Sequence, residues 1–136
     1  MIITKETDYA MRLLRALRDG EKHTVSELSQ NEFVPQQFAY KILKKLSKSG
    51  MVQITRGVDG GCQLTANLSK TSLYDVMEAV DESGSLCACM EPDYRCTWRA
   101  AHGSCSINCR LAEIQQRLNE ELRSCYIEDI LSTASR

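Results

Sequence analysis

Residues 24–64 read TVSELSQNEFVPQQFAYKILKKLSKSGMVQITRGVDGGCQL, and the order of signals inside this stretch decides the fold. Thr24 or Ser26 offers a hydroxyl to cap a short helix that carries Leu28. Asn31-Glu32-Phe33-Val34 makes a turn, and Pro35, with its fixed φ, stands at a first helical position. The helix it opens places Phe38, Ile42, Leu43 and Leu46 on one face until Ser49-Gly50 closes it. Met51 to Thr55 then alternates as a strand does, Arg56 to Gly61 is a glycine-rich turn, and Cys62-Gln63-Leu64-Thr65 resumes the alternation, so a β-hairpin follows.

Outward from this stretch, apolar residues recur at helical spacing from Thr4 to Arg18 (Ala10, Leu13, Leu14, Leu17), and Asp19-Gly20 stops that helix. Thr71 to Val80 reads as a further helix with Ser72 as its cap. From Ile107 the residues Leu111, Ile114, Leu118, Leu122 and Cys125 step by three and four through charged sequence, which is the pattern of a long amphipathic helix that packs against another helix. The chain is therefore expected to be mostly α with a small β-hairpin wing. Helix, helix, turn, helix, hairpin is the order of a winged helix-turn-helix.

Charge separates a nucleic-acid reader from a generic small domain. The 136-residue chain carries a net charge of −1. Between Phe33 and Val58, however, stand Lys41, Lys44, Lys45, Lys48 and Arg56 with no Asp or Glu. Positive charge is thus concentrated where phosphates would lie, and neutralising them releases counterions. In the first turn, Pro35-Gln36-Gln37 has the right chemistry for base edges, since glutamine amides pair with adenine. Tyr40, Lys41 and Lys44 lie further along the same helix. Arg56, beside Gly57 and Gly60, is placed to enter a narrow minor groove.

No window approaches the ~18 consecutive apolar residues of a membrane span, and acidic residues interrupt the start where a secretory signal would be apolar. A cytoplasmic protein with no membrane partner is expected. That expectation changes the meaning of the seven cysteines, five of which crowd into residues 84–110, GSLCACMEPDYRCTWRAAHGSCSINCR. Cytosolic thiols stay reduced, and clustered ones bind metal or do redox chemistry more often than they bridge. Cys62 and Cys125 sit among apolar residues and read as small core side chains. An enzyme is not expected. A thiol oxidoreductase would need C-x-x-C near a βαβ unit, and neither is present.

The segments TKETDYAMRLLRAL (4–17), residues 25–52, RGVDGGCQL (56–64), LYDVMEAVDES (73–83) and the cysteine segment together resemble the Rrf-two family of bacterial transcription regulators, in particular its IscR-, NsrR- and RirA-like iron–sulfur members. The resemblance implies a winged helix-turn-helix domain over residues 1–80, with helix one contributing to the dimer. It further implies a cysteine-rich cluster-binding loop over 81–106, and a dimerisation helix and tail over 107–136. It implies a homodimer on a double-stranded DNA operator, mostly as a repressor. An iron–sulfur cluster, four-iron ahead of two-iron, would sit on three cysteines and one other ligand.

Counting back from Tyr126-Ile127-Glu128-Asp129-Ile130, which is similar to the family's closing motif, Cys105 takes the third ligand position and Cys96 and Cys89 the second and first. Cys87 and Cys109 are alternates. Six residues separate Cys89 from Cys96 and eight separate Cys96 from Cys105, a longer second gap than the family commonly has. Asn108 stands where some relatives offer histidine, and Asp8 where nitric-oxide-sensing relatives supply a carboxylate across the dimer. His102 reads as an exposed bystander. Zinc, or a reversible disulfide, is the competing expectation: Cys105-x3-Cys109 has zinc-like spacing and Cys87-x-Cys89 is tighter.

Overall fold

The computed structural model describes residues 3–80 and 83–132. Helix α1 (Lys5–Ala16) begins where the Thr4 hydroxyl accepts from the Glu6 amide at 3.2 Å, and its inner face buries Ala10, Leu13 and Leu14 completely. A 3-10 turn, Leu17–Asp19, tightens its end before Gly20. Of the two hydroxyls available to α2 (Val25–Glu32), Thr24 is the cap, accepting from the Glu27 amide at 3.1 Å.

Helix α3 (Gln36–Lys48) starts one residue later than the sequence suggests. Pro35 is extended at ψ 135° and occupies the cap position, where its carbonyl accepts the first helical bond from the Ala39 amide at 2.9 Å. Ala39, Ile42, Leu43 and Leu46 face inward, packing mainly against α1 and α2. Truncating one such leucine to alanine costs about 2–5 kcal/mol, a large part of the stability of a domain this size.

Strands β1 (Val52–Thr55) and β2 (Gly61–Leu64) pair antiparallel, with Val52 opposite Leu64 and Ile54 opposite Cys62. The wing is tied down at its base. His23, just before α2, exchanges backbone hydrogen bonds of 2.9 and 2.7 Å with Cys62. Gly60 and Gly61 are required by crowding: a Cβ on Gly60 would strike the Thr55 carbonyl, and one on Gly61 would lie 2.8 Å from the His23 carbonyl.

Helix α4 (Leu73–Ala79) opens with a full capping box, Ser72 and Asp75 satisfying each other's amides at 3.1 and 2.8 Å. The long helix α6 (Ser106–Ser124) packs on α4 and buries Leu122. Helix α7 (Ile127–Ser132) folds back so that Ile127 is fully buried and Arg18 grips it through Glu128, Ser132 and the Leu131 carbonyl. Residues 83–105, within the expected cluster-binding loop, are not irregular throughout. They hold a 3-10 turn (Ala88–Met90) and helix α5 (Thr97–His102), because Cys96 caps α5 by accepting from the Arg99 amide at 3.5 Å. Asp81, Glu82 and residues 133–136, which fall in the expected cluster loop and tail, lie outside the described residues.

Candidate nucleic-acid interface and thiol segment

The outer face of α3 carries the residues expected to meet DNA. Pro35, Gln36 and Gln37 are exposed at its start, and Tyr40, Lys41, Lys44 and Lys48 continue the same surface. An array of amide and cationic donors at a helix N-terminus, where backbone N–H groups also point outward, suits base edges and phosphates. Arg56, Gly57 and Val58 project at the wing tip, with Gly60 half-buried behind them. The frame under this surface is braced, since Arg15 of α1 forks onto the Glu32 carboxylate of α2 and Arg12 donates to the Glu32 carbonyl at 3.3 Å.

Two features of this surface were not legible as sequence. Phe33, in the turn before α3, is left-handed at φ 53° and 85% exposed, a costly backbone region for a bulky residue. More consequential is Glu6 of α1, whose carboxylate accepts from Lys41 at 2.7 Å and from Lys45 at 2.9 Å. These hydrogen bonds hold the Glu6 carboxyl below its ordinary range. Lys45 also donates to the Val80 carbonyl at 3.2 Å. The lysines of α3 are therefore not one free positive stripe. Among the described residues, Lys44, Lys48 and Arg56 carry no ion pair, whereas Lys41 and Lys45 do.

All seven cysteines are free thiols. Cys62 is fully buried, as its apolar neighbours suggested, and burial pushes its thiol up. Cys125 is half-buried at the end of α6. In the thiol segment, Cys87 and Cys89 bring their sulfurs to 3.2 Å. The Asn108 amide beside Cys89, with Cys87, holds the Cys89 thiol below its ordinary value, and Cys87 is raised chiefly by its hydrogen bond to Cys89. Asn108 takes a structural role, its amide donating to the Cys89 carbonyl at 3.3 Å.

A second amide on α6 does more. Gln115 accepts from the Leu86 amide at 2.7 Å and donates to the Gly84 carbonyl at 3.0 Å, so one side chain pairs with backbone on both sides of Ser85. The start of the thiol segment is thereby stapled to the long helix, a link that no spacing rule could have found.

Cys96 and Cys105 are half-buried at the starts of α5 and α6, and Cys109 is exposed one turn into α6. His102 stacks on Trp98 with ring centroids 4.6 Å apart and meets the Trp98 carbonyl at 3.0 Å, a purely local arrangement. Asp8 pairs with Arg12 at 3.1 Å. Among the described residues no three of His, Cys, Asp and Glu converge as a metal site, so Cys87 and Cys89 are brought together while Cys96, Cys105, Cys109 and Asp8 do not join them. The donor chemistry nevertheless fits a soft metal. Two thiolates on one tetrahedral metal, with ~2.3 Å bonds, lie about 3.8 Å apart, within easy reach of the Cys87–Cys89 pair.

Recognition helix, cap, wing and exposed basic face define a winged helix-turn-helix DNA-binding protein. The Rrf2 family model, described as an iron-dependent transcriptional regulator, matches residues 3–133, and the chain belongs to that family. It is a transcription regulator and not an enzyme. Protein aau3 of Rhizobium meliloti (strain 1021) is 31% identical over 134 residues, covering 96% of this chain and 85% of that one. The HTH-type transcriptional regulator NsrR of Geobacillus kaustophilus (strain HTA426) is 26% identical over 127 residues, covering 91% and 80%. Among solved structures, CymR (YrzC), the global cysteine regulator of B. subtilis, superposes with a TM-score of 0.69 at 17% identity, covering 98% of each chain. No helix of the described residues is long and apolar enough to cross a membrane.

Proposed function

We propose that the chain is a homodimeric repressor whose grip on a DNA operator is switched by the state of the thiols between Leu86 and Cys109, with an iron–sulfur cluster as the resident group. The observation that carries this reading is the Cys87–Cys89 pair on a segment stapled to α6 by Asn108 and Gln115. Cys89, Cys96 and Cys105 would hold the cluster, with Cys87 and Cys109 as alternates and Asp8 of a second copy as the oxygen ligand. A four-iron cluster is favoured over a two-iron one. When bound, the group supplies iron that reacts with oxygen or nitric oxide and exchanges electrons.

The chain's own part is mechanical. The thiol segment is fixed to α6, α6 packs on α4, and α4 packs on α1 and α3. Ordering or loosening residues 84–105 therefore biases the helix that presents Gln36 and Gln37 to a groove. Residues 1–80, 81–106 and 107–136 act as reader, sensor and joint. The joint is the stripe Ile107, Leu111 and Ile114 along α6, with Ile107 69% and Ile114 39% exposed in the single chain, before Leu118 turns in to pack against the chain's own core. A second copy would bury it.

The second reading is a zinc-bound or thiol–disulfide switch, favoured by the 3.2 Å sulfur contact and the lowered Cys89 thiol. Iron and acid-labile sulfide assays on oxygen-free protein, run beside operator binding by the Cys89→Ser, Cys96→Ser and Cys105→Ser variants, decide between them. Iron and sulfide in the wild type with altered binding in the variants supports the cluster. Zinc or a disulfide in place of iron supports the second reading. Binding indifferent to every thiol would overturn both.

A further inference from the structure

We propose that Glu6 is a charge gate on the DNA face: its carboxylate, anchored by Lys45, occupies Lys41 of α3, so that the Lys41 cation reaches a phosphate only on duplexes that draw it away. The inference rests on the DNA face described above. Lys41 lies one turn beyond Gln37 on the outer side of α3 and is half exposed, so it faces the same way as the residues expected to read bases. Glu6 arrives from a different element, 35 residues earlier in the chain, and its backbone is fixed by the Thr4 cap. One carboxylate held in a fork between two lysines subtracts from the field that attracts a polyanion.

The consequence is selective. Binding to arbitrary sequence is nearly all electrostatic, with each neutralised phosphate contributing to the salt dependence. A cognate site adds base contacts from the first turn of α3 and can draw Lys41 off the carboxylate, because the Lys41 arm of the fork is the exposed one and exposed ion pairs are weak and exchange partners readily. Glu6 therefore disfavours arbitrary duplex more than cognate duplex and widens the ratio between them. In chemical terms it is a specificity-determining residue that never touches a base.

The test measures binding of the full chain to a short random-sequence duplex by fluorescence anisotropy between about 50 and about 200 mM salt. Glu6→Gln should steepen the plot of log affinity against log salt by about 0.9 as Lys41 is released, which corresponds to about a three- to fourfold larger loss of affinity across that range. Adding Lys41→Met to Glu6→Gln should remove most of the gain. In the wild-type background, which does not depend on how well the Glu6 variant folds, Lys41→Met should flatten the plot less than Lys44→Met does. An unchanged slope for a folded Glu6→Gln, or equal effects of Lys41→Met and Lys44→Met, overturns the gate while leaving the DNA face standing. If Lys44→Met and Arg56→Met also leave binding untouched, the face itself is misplaced and the gate falls with it.

Discussion

Thr7 is fully buried in α1, and among the described residues its hydroxyl has no hydrogen-bond partner. A buried donor left unmade forfeits the hydration it had in the unfolded chain, at a cost of about 1–3 kcal/mol. Thr7→Val replaces that hydroxyl with a methyl of similar shape, and calorimetry should show the variant melting higher, by a stabilisation of about 1 kcal/mol. His23 shows the opposite economy. Its ring meets Asp19 at 2.8 Å and Glu27 at 3.3 Å, and the hydrogen bond to Asp19 chiefly raises its pKa above 6.5. The raised value means that the folded state prefers the protonated ring. Its contribution is complete below about pH 6.5 and is lost as the pH climbs through the folded-state value. Melting temperature should therefore decline above about pH 6.5, and His23→Gln should flatten that decline; an unaltered profile would remove His23 as its source.

At the scale of elements, periodicity and caps carried most of the fold. Leu13 with Leu14, Leu43 with Leu46, the Ser72 cap and the wing glycines all stand where local chemistry put them. Local rules could not see contacts made across the chain. The positive stripe on α3 looked continuous because Glu6 lies outside the window that showed it. The thiol segment looked like an irregular loop because α5 is capped by a cysteine sulfur and the residues before it are held by amides from α6. Gln115 gives this difference a measurable form. Gln115→Leu keeps the helix but removes both partners of residues 84–86, and Cys87 and Cys89 should then alkylate several-fold faster with iodoacetamide in metal-free protein. An unchanged alkylation rate would show that the staple does not restrain the pair.

Across the whole molecule, α6 joins what the thiols experience to what a second copy would experience. Its outer stripe is too apolar to be an ordinary solvated face, with Ile107 and Ile114 standing out among arginines and glutamates. If the proposed homodimer is joined there, placing a charge by Ile114→Glu should shift sedimentation from dimer to monomer and weaken operator binding by at least tenfold, because two half-sites would no longer be held together. A variant that stayed dimeric would move the joint elsewhere.

The clasp of Arg18 on Glu128 and Ser132 spans more than 100 residues, and Ile127 completes the hydrophobic interior begun by Leu13 and Leu14. During synthesis, then, the first helices emerge with part of their interior still missing, and the clasp cannot close until residues 127–132 have left the ribosome. Nascent chains stalled before that point should remain protease-sensitive, so that a truncated message yields fragments fit for degradation rather than half-built regulators competing for promoters.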